Sequence, residues 1–238
     1  MKLHRIALML VAAFAVVFIS SCNSDDDPTP MPTLYTDIVT VQEVAEGKTV
    51  FTLREKGDSP LITLTSSQTV NKEAFKIGTR VVITYSPSTG IHYVSDQITI
   101  YAAGGVIGEG KQVEQSTKEK TASWRTAPVS MYSATRTGEY INVVFTAFTG
   151  IETNVCAIVV DEETLEDEYP NLHLLFEPSS SSSQNNYAIY MSYSLADIFA
   201  RPNCKGVKLF FVDSTNPRLS PVELDRPISN GFDTPDED

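Results

Sequence analysis

From Tyr35 onward, apolar residues recur at every second position in short runs rich in β-branched side chains, and helical spacing almost disappears. Alternation of that period gives each run an inward and an outward face. In the first half the runs are Asp37 to Val44, Thr49 to Arg54, Leu61 to Thr65, Thr79 to Tyr85 and Ile91 to Tyr101. Glu46-Gly47 and Ser86-Pro87-Ser88-Thr89-Gly90 read as turns between them. Asn71 to Lys76 reads as a helical turn capped by Asn71 and stopped near Gly78. Three strands, a short helix and two strands follow the order of an OB-like barrel. Val81, Ile83 and Tyr85 share one face of the fourth run, as Phe51 and Leu53 do in the second, so these are the expected core.

The second half resumes with runs at Tyr140 to Phe148, Val155 to Val160, Leu172 to Phe176, Tyr187 to Tyr193 and Val207 to Val212, and fainter ones near Val129 to Ser133 and Val222 to Leu224. That spacing predicts an antiparallel β-sandwich. Ser194 to Asp197 reads as a capping box opening one short helix, which Arg201-Pro202 closes. Ser179 to Ser183 with the following Gln184-Asn185-Asn186 reads as a hairpin loop. Between the halves, the glycines of Ala102 to Gly110 are out of register for a dinucleotide loop, and no Gly-Lys-Ser/Thr follows, so a hinge or wide turn is expected.

The beginning of the chain breaks the alternation. Lys2, His4 and Arg5 precede an uncharged apolar run, Ile6 to Ile19, which is shorter than the roughly 20 residues of a spanning helix. Ile19-Ser20-Ser21-Cys22-Asn23 then reads as a lipobox, with Cys22 the lipidated first residue of the mature chain. Asn23 to Pro32 reads as an extended tether, and Asp25, Asp26 and Asp27 as an acidic surface-export signal or an ordinary acidic linker. The expected organisation is a signal peptide at 1–21, a lipidated tether at 22–33, an OB-like barrel at 34–103, a glycine-rich hinge or linker at 104–120, and a sandwich at 121–238 whose acidic end, Asp233 to Asp238, frays.

Charge narrows the partners. The net charge of −12 becomes −14 when the leader takes away Lys2 and Arg5, leaving 16 bases against 30 acids. Nucleic acid is excluded on that ground, because an acidic body forgoes the counterion release that drives such binding. The excess is local. Tyr35 to Ala102 carries six bases and seven acids, whereas Val113 to Asp238 carries nine bases and nineteen acids.

The lipobox and tether, Gly78-Thr79-Arg80-Val81-Val82-Ile83-Thr84-Tyr85, Gly138-Glu139-Tyr140-Ile141-Asn142-Val143 and Tyr187-Ala188-Ile189-Tyr190-Met191-Ser192-Tyr193-Ser194-Leu195 together resemble the NigD-like lipoproteins of Bacteroidetes. The resemblance covers essentially the mature chain. It implies an N-terminal OB-type domain, a C-terminal β-sandwich, an outer-membrane location and a role in immunity to a bacteriocin. It implies no active site, since every matched string is a fold string.

The residues themselves offer little chemistry. His92 and His173 stand without the spacing of a zinc site, and no nucleophile elbow or Ser-x-x-Lys start is present, so no cofactor or metal is expected. Asp161-Glu162-Glu163 and Glu166-Asp167-Glu168 crowd six acids into one connection, which reads as a solvated loop, with a calcium ion or a basic partner at Glu166, Asp167 and Glu168 as the alternative. Cys156 and Cys204 either pair, as an oxidising compartment permits, or pack as small apolar groups. For a glycan, Trp124, Tyr187, Tyr190 and Tyr193 are the available stacking rings, with at least two of the tyrosines expected in the core. The reading is a non-enzymatic, surface-exposed lipoprotein, held to the membrane by the lipid on Cys22 and binding a protein partner as an immunity module. A glycan-binding accessory of a polysaccharide uptake system is the alternative, and an unrecognised hydrolase the third.

Overall fold

A computed structural model of the chain describes residues 31–124, 126–149, 155–178, 185–216, 218 and 220–227. Cys22, Asp25, Asp26, Asp27, the serine run and the acidic C-terminus lie outside the described residues. The chain is all-β, an OB-like barrel followed by a β-sandwich.

Strands β1 (Tyr35–Ala45), β2 (Lys48–Leu53), β3 (Ile62–Ser66), β4 (Arg80–Pro87) and β5 (Asp96–Gly105) close a barrel in the order β1-β2-β3-β5-β4. Closure depends on β1 serving two neighbours. Its first half pairs with β4 from Tyr35↔Tyr85 to Thr40↔Arg80, its second half pairs with β2, and the register slips between Val41 and Glu43. Such a bulge turns a strand from one neighbour to the next. The ring is completed by a parallel contact of β3 with β5 at Leu64↔Asp96 and Thr65↔Gln97. Phe51, Leu53, Val81, Ile83 and Tyr85 fill the interior with Val39, Val41 and Leu64, as the alternation predicts. At Asn71 the chain makes one turn: its carbonyl accepts the amides of Ala74 and Phe75, and its side chain accepts that of Glu73.

One strand start differs. Ile91 to Ser95 belong to the connection between β4 and β5, because Asp96 gathers Ser88 and Thr89 into a closed loop and Tyr93 takes a left-handed φ of 57° that interrupts extension.

The second half contains β6 (Glu114–Ser116), α1 (Lys118–Ala122), β7 (Ser130–Thr137), β8 (Tyr140–Thr149), β9 (Val155–Asp161), β10 (Asn171–Glu177), β11 (Asn185–Ser194), α2 (Ala196–Phe199), β12 (Gly206–Phe210) and β13 (Val222–Asp225). A sheet ordered β13-β12-β10-β9-β6 faces one ordered β11-β8-β7. The pairings β6–β9 and β10–β12 are parallel, so the sandwich is mixed where alternation suggested antiparallel pairing throughout. Ile141, Val143, Phe145 and Met191 from one sheet meet Ile158, Leu172, Leu174, Phe176 and Leu209 from the other. Phe145 packs edge-to-face on Phe176, centroids 5.4 Å apart, adding about 1 kcal/mol to the burial of both rings. The expected capping box does not form: α2 is preceded by Leu195, which makes no side-chain cap bond, and Ser194 only accepts the Ala196 amide with its hydroxyl.

The glycine-rich segment between the halves is strapped to β11. Ile107, Gly110 and Val113 donate their amides to the carbonyls of Tyr190, Ser192 and Ser194, and the Ser192 and Ser194 amides return bonds to Ile107 and Lys111. At Gly108, φ is 88° and a Cβ would stand 2.6 Å from the Ser192 carbonyl oxygen, which explains a glycine there.

Candidate functional site

Arg80 opens β4 on the barrel and is only 3% exposed. Its guanidinium crosses to the sandwich, where Nε donates to Ser192 Oγ (3.2 Å) and Nη2 to Asn142 Oδ1 (3.0 Å). Towards its own barrel it donates to Thr40 Oγ1 (2.9 Å) and the Ile38 carbonyl (3.3 Å). Asn142 and Ser192 sit opposite each other on β8 and β11, joined by a 2.7 Å hydrogen bond from the serine hydroxyl. Tyr140 lies under the guanidinium, 4.8 Å from centroid to Cζ. Burial lowers the Arg80 pKa to about 10, with Tyr140 acting in the opposite sense, so the side chain stays cationic at neutral pH.

Beside this residue lies a cleft of about 300 Å³ between barrel and sandwich. The barrel contributes Arg54 and the threonines at 40 and 52, and the sandwich contributes Thr137, Gly138 and Tyr140. Leu61 and Glu139 line it from exposed positions. Next to Thr137 and Gly138 in sequence, Arg136 grips both oxygens of Asp58 at 2.7 and 2.8 Å, and the Gly57 amide and carbonyl bond to Arg136 and Gly138, so barrel and sandwich are stapled here.

A second polar cluster closes the other end of β1. Asp37, buried at its side chain to 12% exposure, accepts from the Tyr85 hydroxyl (2.9 Å) and the Tyr93 hydroxyl (3.3 Å), and pairs with His92 Nε2 (2.7 Å). The His92 ring is stacked between Tyr35 and Tyr93, at 4.0 and 3.6 Å. Burial first, then the Asp37 carboxylate, pushes the Tyr93 phenol up to about 12. The turn read at Ser86 to Gly90 extends in the structure to Ser95, and the connection so lengthened carries His92 and Tyr93. The cluster joins three chain segments, β1, β4 and the β4–β5 connection, and gives that connection a fixed shape.

The residues singled out by sequence lie elsewhere and do not converge. Glu166 and Glu168 are exposed and ion-paired to Arg201 and Lys205 of the same half, so part of the acidic connection is neutralised internally. No group of three or more His, Cys, Asp or Glu that could hold a metal occurs among the described residues. Cys156 and Cys204 are not bridged: Cys156 Sγ contacts Met191 Sδ at 3.4 Å, while Cys204 Sγ donates to the Gly206 carbonyl. Each thiol instead packs with the sandwich core, and burial pushes both upward in pKa, away from the reactive thiolate. His173 stacks at 5.5 Å on Phe210, and burial lowers its pKa. Alternation places at least two of the β11 tyrosines in the core, but Tyr193 alone packs against it; Tyr187 and Tyr190 do not.

No family model matches the chain, and no curated protein matches it. Solved structures do. A DUF1344 protein of unknown function from Bacteroides vulgatus superposes with a TM-score of 0.59 at 19% identity, covering 83% of this chain and 93% of its own. A NigD-like immunity protein from Bacteroides caccae gives 0.55 at 15% identity, covering 82% and 93%. A putative toxin-related protein from Parabacteroides distasonis gives 0.51 at 16%, covering 75% and 88%. The barrel-plus-sandwich fold of this chain is therefore that of NigD-like proteins across most of its length.

Proposed function

We propose that this chain is a lipid-anchored, surface-facing binding protein that takes a protein partner, in the manner of a bacteriocin immunity factor, and catalyses no reaction. The observation that carries the reading is the fold shared with the NigD-like immunity protein over 82% of this chain and 93% of that one. Two features support it. The barrel and sandwich are joined by a buried polar network and a bidentate ion pair, which suits a preformed surface, since preorganisation lowers the ordering cost of association. The acidic excess of the second half suits a basic partner, whose encounter would be hastened by charge and slowed by salt.

The test is protection. Cells lacking the gene, cells carrying it and cells carrying Cys22→Ala are exposed to bacteriocin-containing supernatants from related strains. Survival that depends on the gene and is lost on Cys22→Ala, with the variant released from the membrane fraction, is the expected result. Equal killing of all three lines by every supernatant would overturn the immunity reading.

A further inference from the structure

We infer that the cleft between barrel and sandwich binds an acidic sugar, one ring whose carboxylate is held by Arg54 beside the buried charge of Arg80. This goes beyond the immunity reading and does not depend on it.

The argument begins with an imbalance. Arg80 is 3% exposed, yet its four side-chain hydrogen bonds go to two hydroxyls, an amide oxygen and a backbone carbonyl. No carboxylate pairs with it among the described residues. Neutral acceptors satisfy the donors without cancelling the charge, and a buried charge without a counter-charge is costly. Here the uncancelled charge borders an open cleft, so a ligand can supply what the protein withholds. Glu109 does not: its carbonyl accepts the Arg80 amide, while its carboxylate pairs with Lys111. Arg54 adds a second guanidinium to the same cleft, donating one Nη1 bond to the Ser59 carbonyl and lying only half-buried. Guanidinium groups match carboxylates in charge and in planar geometry.

Size and remaining chemistry select a sugar over a bare oxyanion. A cleft of about 300 Å³ lies at the lower end of small-molecule sites and leaves most of its space empty around a single carboxylate. Thr40, Thr52 and Thr137 present hydroxyls, which donate and accept like those of a sugar ring, and Tyr140 supplies an apolar surface. Against two guanidinium groups the lining sets one carboxylate, that of Glu139 at the exposed rim, so in a chain that is acidic overall the cleft keeps a local excess of positive charge, which favours an anion that also fits.

The mature lipoprotein in detergent is titrated with methyl glucuronide, methyl glucoside and inorganic sulfate by calorimetry. Saturable binding of the glucuronide is expected, at least about tenfold tighter than the glucoside and tighter than sulfate, weakening as salt rises. Arg54→Ala should lose about tenfold or more in affinity at unchanged melting temperature, because Arg54 is outside the core. Absence of saturation, equal binding of glucoside, sulfate binding as tightly as the glucuronide, or full affinity in Arg54→Ala would each overturn the inference. If Arg54→Ala loses the sugar but still protects cells, the two readings are independent.

Discussion

Arg80 joins segments that no local pattern connects: its partners Asn142 and Ser192 lie 62 and 112 residues away. In the sequence it is one base at the start of an apolar run, and nothing distinguishes it from an exposed strand-end arginine. The same holds for Asp37, whose partner His92 is 55 residues on. Long-range polar pairing leaves no periodic trace, whereas Phe51, Leu53, Val81, Ile83 and Tyr85 leave one at every second position and were legible as core. Replacing Arg80 by Met should cost about 3 kcal/mol in urea unfolding, since Asn142 and Ser192 lose a charged donor in a buried site. Arg80→Lys should recover only part of this, because one ammonium cannot span four acceptors lying on two sides of it. A different residue controls the β4–β5 connection by pH. Asp96 is held at about 2, below its usual 3.8, by the Ser88 hydroxyl first and then the Thr89 amide. A depressed carboxylate stabilises the folded loop above its unfolded pKa, and that contribution disappears as pH falls from about 4 through 2. Amide shifts of Thr89 and Gln97 followed by NMR should move together across that window, and Asp96→Asn should abolish the titration.

At the scale of elements, the OB order was readable because each barrel strand has a buried face and its own turn. The β5 start was not, since Ile91-His92-Tyr93-Val94 has strand-like composition and only the long-range contacts of His92 and Tyr93 reveal a loop. The parallel pairings were equally hidden. Glu114–Ser116 has no apolar alternation, and the β3–β5 contact involves two residue pairs. The strap along β11 yields a sharp prediction. Gly108→Ala should cost about 2–3 kcal/mol, through its left-handed φ and the collision with the Ser192 carbonyl. Gly90→Ala is the control: its φ is also positive, at 72°, but nothing lies within 4 Å of the added carbon. There the cost should stay near 1 kcal/mol, as measured by chemical denaturation of both variants.

Taken whole, the molecule is coupled at three places: Arg80, the Arg136–Asp58 pair and the β11 strap. Coupling through buried polar groups is directional and hard to give up piecemeal. Calorimetry of the wild type should therefore show one cooperative transition. The double variant Arg80→Met/Arg136→Ala should separate barrel from sandwich melting; a single transition in that variant would show that the strap and the Gly57 backbone bonds suffice. The strap has a further effect. β11 is the outermost strand of its sheet, and such an edge offers a row of free amides and carbonyls on which any passing extended chain can build. Tyr190, Ser192 and Ser194 spend theirs on residues 107–113. A segment that reads in the sequence as a spacer thus acts as a cover, closing half of a strand that would otherwise invite self-association, and Gly108 is the residue whose loss would reopen it.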